Sequence, residues 1–262
     1  KMAQVINTNV YSLNAQRNLN KNSLGLSTAL ERLSSGLRVN SAKDDAAGLA
    51  VASRMEADAR GITVAMRNAA DGVSFGQTAD GALSTVSEIL QRMRELAVQS
   101  LNGSLGATER GYLDKEFGEL DKQIAALQGA AKLNNQSVFG TFTFQVGAAS
   151  GQTIAGTFSS VASTGGNVST GAAAALTTID ARLASVASNR AQIGGTMSAL
   201  QFRIQQLETA RENQYAARSR IMDADFASET AALSRSQILQ QSGVAMVAQA
   251  NAVPQNVLSL LR

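Results

Sequence analysis

From Ile179, alternate steps of four and three residues meet Leu183, Val186, Arg190, Ile193, Met197, Leu200, Ile204 and Leu207. Eight of these nine positions are apolar. A period of 3.5 specifies a helix with a single apolar seam, and that seam needs a second helix to cover it. The earlier half of the chain supplies one. Between Asp44 and about Asn102, apolar residues recur at Ala52, Met55, Ala59, Ile62, Met66, Ala69 and Val73, then at Leu83, Val86, Leu90 and Met93. The phase is expected to stumble near Gly72, Gly76 and Gly81, since glycine costs roughly 1 kcal/mol relative to Ala inside a helix. Ser41-Ala42-Lys43-Asp44 reads as its start, the Ser hydroxyl accepting from a first-turn amide while the Asp reaches back. At about 1.5 Å per residue such a rod approaches ~90 Å, a length that points to a coiled coil, a membrane span or a repeat. The charged residues along it rule out the span.

Composition narrows the class further. Only 4% of the 262 residues are aromatic, so the apolar material suits close-packed helices better than a thick globular core. With no Cys and no His, disulfides, thiol chemistry and the usual zinc ligand sets are excluded. A Ser-His-Asp or Cys-His nucleophile is excluded on the same ground. The net charge of +3 is mild, and no basic stripe with stacking aromatics appears, which argues against nucleic-acid binding. No charged stretch followed by an apolar one opens the chain, so a cleavable Sec signal is not expected.

The segment from about Gln4 to Leu33 reads as a helix with a thin apolar stripe of Val5, Ile6, Val10, Leu13, Leu24, Leu30 and Leu33. Its many Asn and Ser residues compete with the helical backbone, so it needs a partner. After Asn102-Gly103, a shorter amphipathic helix from about Thr108 to Ala131 carries Leu113, Phe117, Leu120, Ile124 and Leu127. Val138 to Val146 holds the densest aromatic cluster and predicts a short hairpin. From Gly147 to Thr170 the Gly-, Ser- and Thr-rich chain predicts strands and loop. The second long helix should break around Asp223–Asp225, and a last amphipathic segment follows from Phe226, with Pro254 expected to kink or restart it. Val257, Leu258, Leu260 and Leu261 make an apolar tip that needs covering. The N-terminal segment, of the same or a neighbouring copy, is the natural candidate.

These residues resemble those of bacterial flagellins, through Ala3-Gln-Val-Ile-Asn-Thr-Asn9, RLSSGLRVNSAKDDAAGLAVASRM from Arg32 to Met55 and LQRMRELAVQS from Leu90 to Ser100. SQILQQSG from Ser236 to Gly243 and AQANAVPQNVLSLLR from Ala248 to Arg262 extend the resemblance across both ends. Only about 25 residues are available for the middle, where many flagellins carry large outer domains, so the resemblance implies a minimal form. The expected fold is mainly α: a long antiparallel α-helical coiled-coil bundle with a small β-hairpin region. Residues 1–43 form an N-terminal inner-core helix and linker. Residues 44–222 form a long-helix core domain with the hairpin region at about 137–170. Residues 223–262 form a C-terminal inner-core helix that pairs with 1–43.

The resemblance implies a structural subunit of an extracellular flagellar filament, exported without a cleavable signal through a type III apparatus and requiring no cofactor. Its implied partners are further copies in a helical homopolymer, an export chaperone, and the filament cap and hook-associated proteins. Marginal terminal helices would order on assembly, with Val5, Ile6, Val10, Leu13, Leu239, Val257, Leu258, Leu260 and Leu261 as the inner-core residues. In flagellins detected by Toll-like receptor 5, the surface matching Leu90, Gln91, Arg92, Glu95, Leu96, Gln99, Glu116, Ile179 and Leu183 is the receptor contact and a subunit interface. Without the resemblance, Arg92 and Glu95 read as an ordinary solvated helix face, and the heptad positions as intramolecular core. Asp44 and Asp45 read as helix-start residues, favoured there by roughly 0.3–1 kcal/mol, and not as metal ligands. A hook–filament junction protein is the alternative, disfavoured by the intact AVPQNVLSLLR tail. A protease borne in the middle is excluded by the absence of His.

Overall fold

The computed structural model describes residues 8–259, with side chains placed for residues 8–252. The elements in chain order are α1 (Val10–Ser35), α2 (Ala46–Ser100), α3 (Ala107–Ala130), β1 (Lys132–Leu133), β2 (Gln136–Ser137), β3 (Gly140–Gln145), β4 (Thr153–Phe158), α4 (Ala172–Met222) and α5 (Phe226–Ser259). Contacts divide the chain into two compact units: residues up to 57 together with those from 214 onward, and residues 58–213. The structure is mainly α with small antiparallel β-hairpins, as the periodicities predict.

In the first unit α1 packs against α5. The residues of α1 turned inward recur at Ser12, Ala15, Leu19, Asn22, Leu26, Ala29 and Leu33, alternating in threes and fours. Only Ser12 and Ala29 among them are fully buried, so the seam is thin and largely small or polar. Hydrogen bonds set its register: Asn22 Nδ2 donates to the Ser236 carbonyl (2.7 Å), and Arg32 pairs with Glu229 (3.0 Å). Gly36, at φ +71°, ends α1 in the left-handed conformation and returns its amide to the Arg32 carbonyl. The following segment lies along the end of α4, where the amides of Arg38 and Ala224 bond to the carbonyls of Met222 and Gly36. Val39, Ala52 and Met222 bury a small core there.

Two expectations about helix ends are corrected. Asp45, not Ser41, caps α2: its Oδ1 accepts from the Gly48 amide at 2.7 Å. Asp44 does reach back, taking the Ser41 amide and also the Ser41 hydroxyl, which donates instead of accepting. Nor does α5 restart at Pro254; helical backbone continues to Ser259. The carbonyl that Pro254 leaves without an intrahelical donor is that of Ala250, and Asn9 Nδ2 donates to it at 2.7 Å.

The second unit is built on α2 and α4, which run antiparallel. From Ile62 to Ser100 buried residues of α2 recur at 62, 65, 69, 72, 76, 79, 83, 86, 90, 93, 97 and 100, in unbroken alternation of three and four, with Leu96 buried beside them. The expected stumble is absent, because Gly72 and Gly76 are themselves seam positions. A Cβ at Gly72 would sit 2.9 Å from Leu200 Cδ1 and 3.1 Å from the Phe144 ring; one at Gly76 would sit 2.7 Å from Met197 Cγ. Gly81 faces open space. On α4 every seventh residue, Ile179, Val186, Ile193, Leu200 and Leu207, is buried. The polar exception, Arg190, forks onto Asp80 of α2 through Nε (2.7 Å) and Nη2 (3.2 Å). It anchors register where an apolar residue would slide.

The hairpin β3–β4 pairs Phe142 with Gly156 and Phe144 with Ile154. Its inward rings pack on Phe75 of α2, with Phe75 and Phe142 centroids 5.2 Å apart. A second, two-residue hairpin, β1–β2, turns through Asn134 and Asn135, both at positive φ, as a type I′ turn requires. The sequence reading overlooked it.

These contacts give opposite signs for two glycine substitutions. Gly72→Val should lower unfolding stability by about 1–3 kcal/mol through overpacking, whereas Gly81→Ala should raise it by about 0.5–1 kcal/mol. Chemical denaturation of the full chain, followed by circular dichroism, measures both.

Candidate assembly and recognition surfaces

Two surfaces stand out, one on each unit. On the first, most of the apolar stripe expected to bury α1 is left outside: Val10, Leu13, Leu24 and Leu30 are all at least half exposed, Leu24 at 70%, and only Leu33 among the described stripe residues turns inward. On α5, Phe226, Ile238, Leu239, Val244 and Met246 are likewise at least half exposed. A groove of about 860 Å³ runs between the helices, lined by Tyr11, Leu19, Leu239 and Met246 among others. A helix pair that hides small polar residues and displays Leu, Ile and Met has its large apolar surface on the wrong side for an isolated protein. Of the expected inner-core residues, Val5, Ile6, Leu260 and Leu261 lie outside the described residues, as do the side chains of Val257 and Leu258.

On the second unit, Gln91, Arg92, Glu95 and Gln99 of α2 and Glu116 of α3 are exposed. Arg92 is their hub. Its Nη1 donates to Glu95 Oε2 (3.0 Å), while Nε and Nη2 both donate to Glu116 Oε1 (3.1 and 2.9 Å). The hydrogen bonds to Glu95 and then Glu116 raise the guanidinium pKa further above its ordinary value. The arrangement presents a guanidinium held flat across two helices. The geometry corrects part of the nine-residue surface. Leu90, Leu96 and Ile179 are completely buried in the core of the unit, and Leu183 is partly buried against it. At Leu90 and Leu96 the apolar side chains of α2 are enclosed by core residues of α3 and α4 and reach no surface. Arg94 and Asp180, paired at 2.8 Å between α2 and α4, occupy exposed ground that the sequence reading passed over.

A third feature was expected only as loop, without its anchoring. Residues 159–171 cross the unit as an irregular strap, pinned by a polar ladder on α3 at heptad spacing: Asp114, Asp121 and Gln128. Gln128 brackets Val161, donating to its carbonyl and accepting from its amide, both at 2.9 Å. Asp121 accepts from the Ser163 hydroxyl and from the Thr164 amide (2.7 Å) and hydroxyl (2.6 Å). Asp114 accepts from the Val168 amide at 2.7 Å, and Ser100 donates to the Val168 carbonyl at 2.5 Å. Val161 and Val168 are thereby held in the core. The signal was present as polar residues at i, i+7 and i+14.

Among the described residues no group of three carboxylates or other ligating side chains could hold a metal ion, and no helix is long and apolar enough to cross a membrane. Residues 6–143 match the model of the bacterial flagellin N-terminal helical region, and residues 176–261 that of the bacterial flagellin C-terminal helical region. Flagellin of Halalkalibacterium halodurans is 41% identical, the match spanning 98% of this chain and all of that one. Flagellin of Xenorhabdus nematophila is 39% identical over the whole of both. The flagellar filament 33 kDa core protein of Treponema phagedenis is 36% identical across 98% of this chain and all of its own. The chain belongs to the bacterial flagellin family, in a form without large outer domains. It is accordingly a structural filament protein and not an enzyme.

Burial pushes the Asp121 carboxyl up, but the hydrogen bonds from Ser163 and Thr164 outweigh it and hold the group below its usual pKa. A depressed folded pKa contributes stability that is complete above the unfolded value of about 3.9 and is lost as pH falls through the folded one. Protection of the Thr164 amide, taken as its exchange rate relative to the intrinsic rate at the same pH, should therefore fall on acidification below about pH 4. Asp121→Asn should abolish that acid step and leave exchange fast at neutral pH; amide exchange read by NMR or mass spectrometry checks it.

Proposed function

We propose that the chain polymerises into an extracellular filament through the outward apolar faces of α1 and α5, and that the Arg92-centred surface of α2 and α3 is a contact for Toll-like receptor 5. The exposed Leu, Ile and Met side chains of the α1–α5 pair carry the first reading. Covering them removes apolar area from water at about 25 cal/mol per Å², which is the drive that the thin seam between the two helices lacks. Family membership supports the further reading of export through a type III apparatus, a chaperone held on α5 until secretion, and cap and hook-associated proteins at the filament's ends, all of which suit the same faces.

The receptor reading is supported by the fork of Arg92 onto Glu95 and Glu116. A planar guanidinium already fixed by two carboxylates loses little freedom on binding, a common property of interface anchors. The buried Leu96 takes no direct part in it. Leu96→Ala should cost about 2–5 kcal/mol of stability by opening a cavity.

Purified chain seeded with short filament fragments should grow into long filaments visible by electron microscopy. Leu24→Asp should stop growth while leaving the unfolding of residues 58–213 unchanged. Capped short oligomers from the native chain would instead indicate a junction protein. In a receptor reporter assay, Arg92→Ala combined with Glu116→Ala should reduce potency by on the order of tenfold, equivalent to losing one anchor contact. Undiminished potency would refute the receptor contact.

A further inference from the structure

Asn9 occupies a position that no helix-forming rule explains by itself. It is the N-cap of α1, its Oδ1 accepting from the Ser12 amide at 3.1 Å. At the same time its Nδ2 donates to the Ala250 carbonyl at 2.7 Å, across to the other end of the chain. Only one orientation of the side-chain amide satisfies both, because the first partner is a donor and the second an acceptor. Ser12 adds a second link, its hydroxyl donating to Asn251 Oδ1 at 2.7 Å.

The Ala250 carbonyl is available for a reason written in the sequence. In a continuous helix it would receive the amide of the residue four positions on, and that residue is Pro254, which has no N–H. The helix nevertheless continues through it to Ser259. A backbone carbonyl left unmet inside a helix–helix seam carries a desolvation cost, and in this seam the chain's other end removes it.

We infer that Asn9 and Pro254 form a matched pair, a clasp in which the proline frees a carbonyl so that the cap residue of α1 can hold the C-terminal part of α5, making order at the two chain ends mutually dependent. The clasp lies within one chain and does not rest on the polymerisation reading. It differs from the other α1–α5 bonds in that it takes a defect of one helix as the acceptor for the other.

Asn9→Asp separates the clasp from the cap. Asp caps a helix as well as Asn does, but it replaces the donor with an oxygen facing the Ala250 carbonyl. Pro254→Ala restores the intrahelical donor. The test is hydrogen exchange on the full chain, read at the first turns of α1 and at residues 250–252, for the native protein, both single variants and the double variant. Asn9→Asp should accelerate exchange at both places by roughly tenfold, the scale of one unmet, partly buried polar group. In the Pro254→Ala background the same change should have less than about a twofold effect. Equal acceleration in both backgrounds would mean general damage to α1 and overturn the clasp. No acceleration with Pro254 present would overturn it as well.

Discussion

The close approach of α2 to α4 at Gly72 and Gly76 is the constraint on which the second unit depends. With no Cβ at those two seam positions, Leu200, Phe144 and Met197 fill the space that larger residues would occupy. The glycines weaken the helix locally by roughly 1 kcal/mol each. The side chains that pack in their place include Phe144, which ties the β3–β4 hairpin to the helices. Arg190 and Asp80 then fix which turn of α4 faces which turn of α2. With that register set, the hairpin, α3 and the strap over residues 159–171 all have a fixed base.

The first unit is held together on a different principle. Its seam carries small and polar residues whose hydrogen bonds, from Asn9, Ser12, Asn22 and Arg32, specify alignment more than they supply net stability. Many of the large apolar side chains of α1 and α5, Leu24 and Ile238 among them, are left exposed. A pair built this way is well defined in register yet weak in burial. That combination suits a part that completes its packing against further copies, and it matches the family to which the chain belongs.

Much of this architecture was legible beforehand, for a physical reason: heptads over about thirty residues repeat one message many times, so the seam from Ile179 to Leu207 and the helix break at Asp223–Asp225 could be read directly. Single-residue roles were harder. Treating Gly72 and Gly76 as interruptions followed helix propensity and missed their packing role, which depends on what lies opposite. The polar ladder of Asp114, Asp121 and Gln128 has the right spacing, but its partner is an irregular strap with no periodicity of its own. The surface taken from the family resemblance mixed exposed Arg92, Glu95 and Glu116 with buried Leu90, Leu96 and Ile179, because a sequence motif does not distinguish the faces of a helix covered on two sides. Of the apolar stripe read on α1, Val10, Leu13, Leu24 and Leu30 are exposed while Leu33 turns inward. The stripe's direction was invisible until α5 was in place.

The role of the first unit turns on whether the apolar faces of α1 and α5 are completed by other copies of the chain. Hydrogen exchange compared between free subunit and seeded polymer measures this most directly. Protection in α1 and α5 should rise by on the order of a hundredfold on polymerisation, as exposed helices become buried ones, while the seam of α2 and α4 within residues 58–213 stays protected in both states. Equal protection of α1 and α5 in the two states would contradict the account.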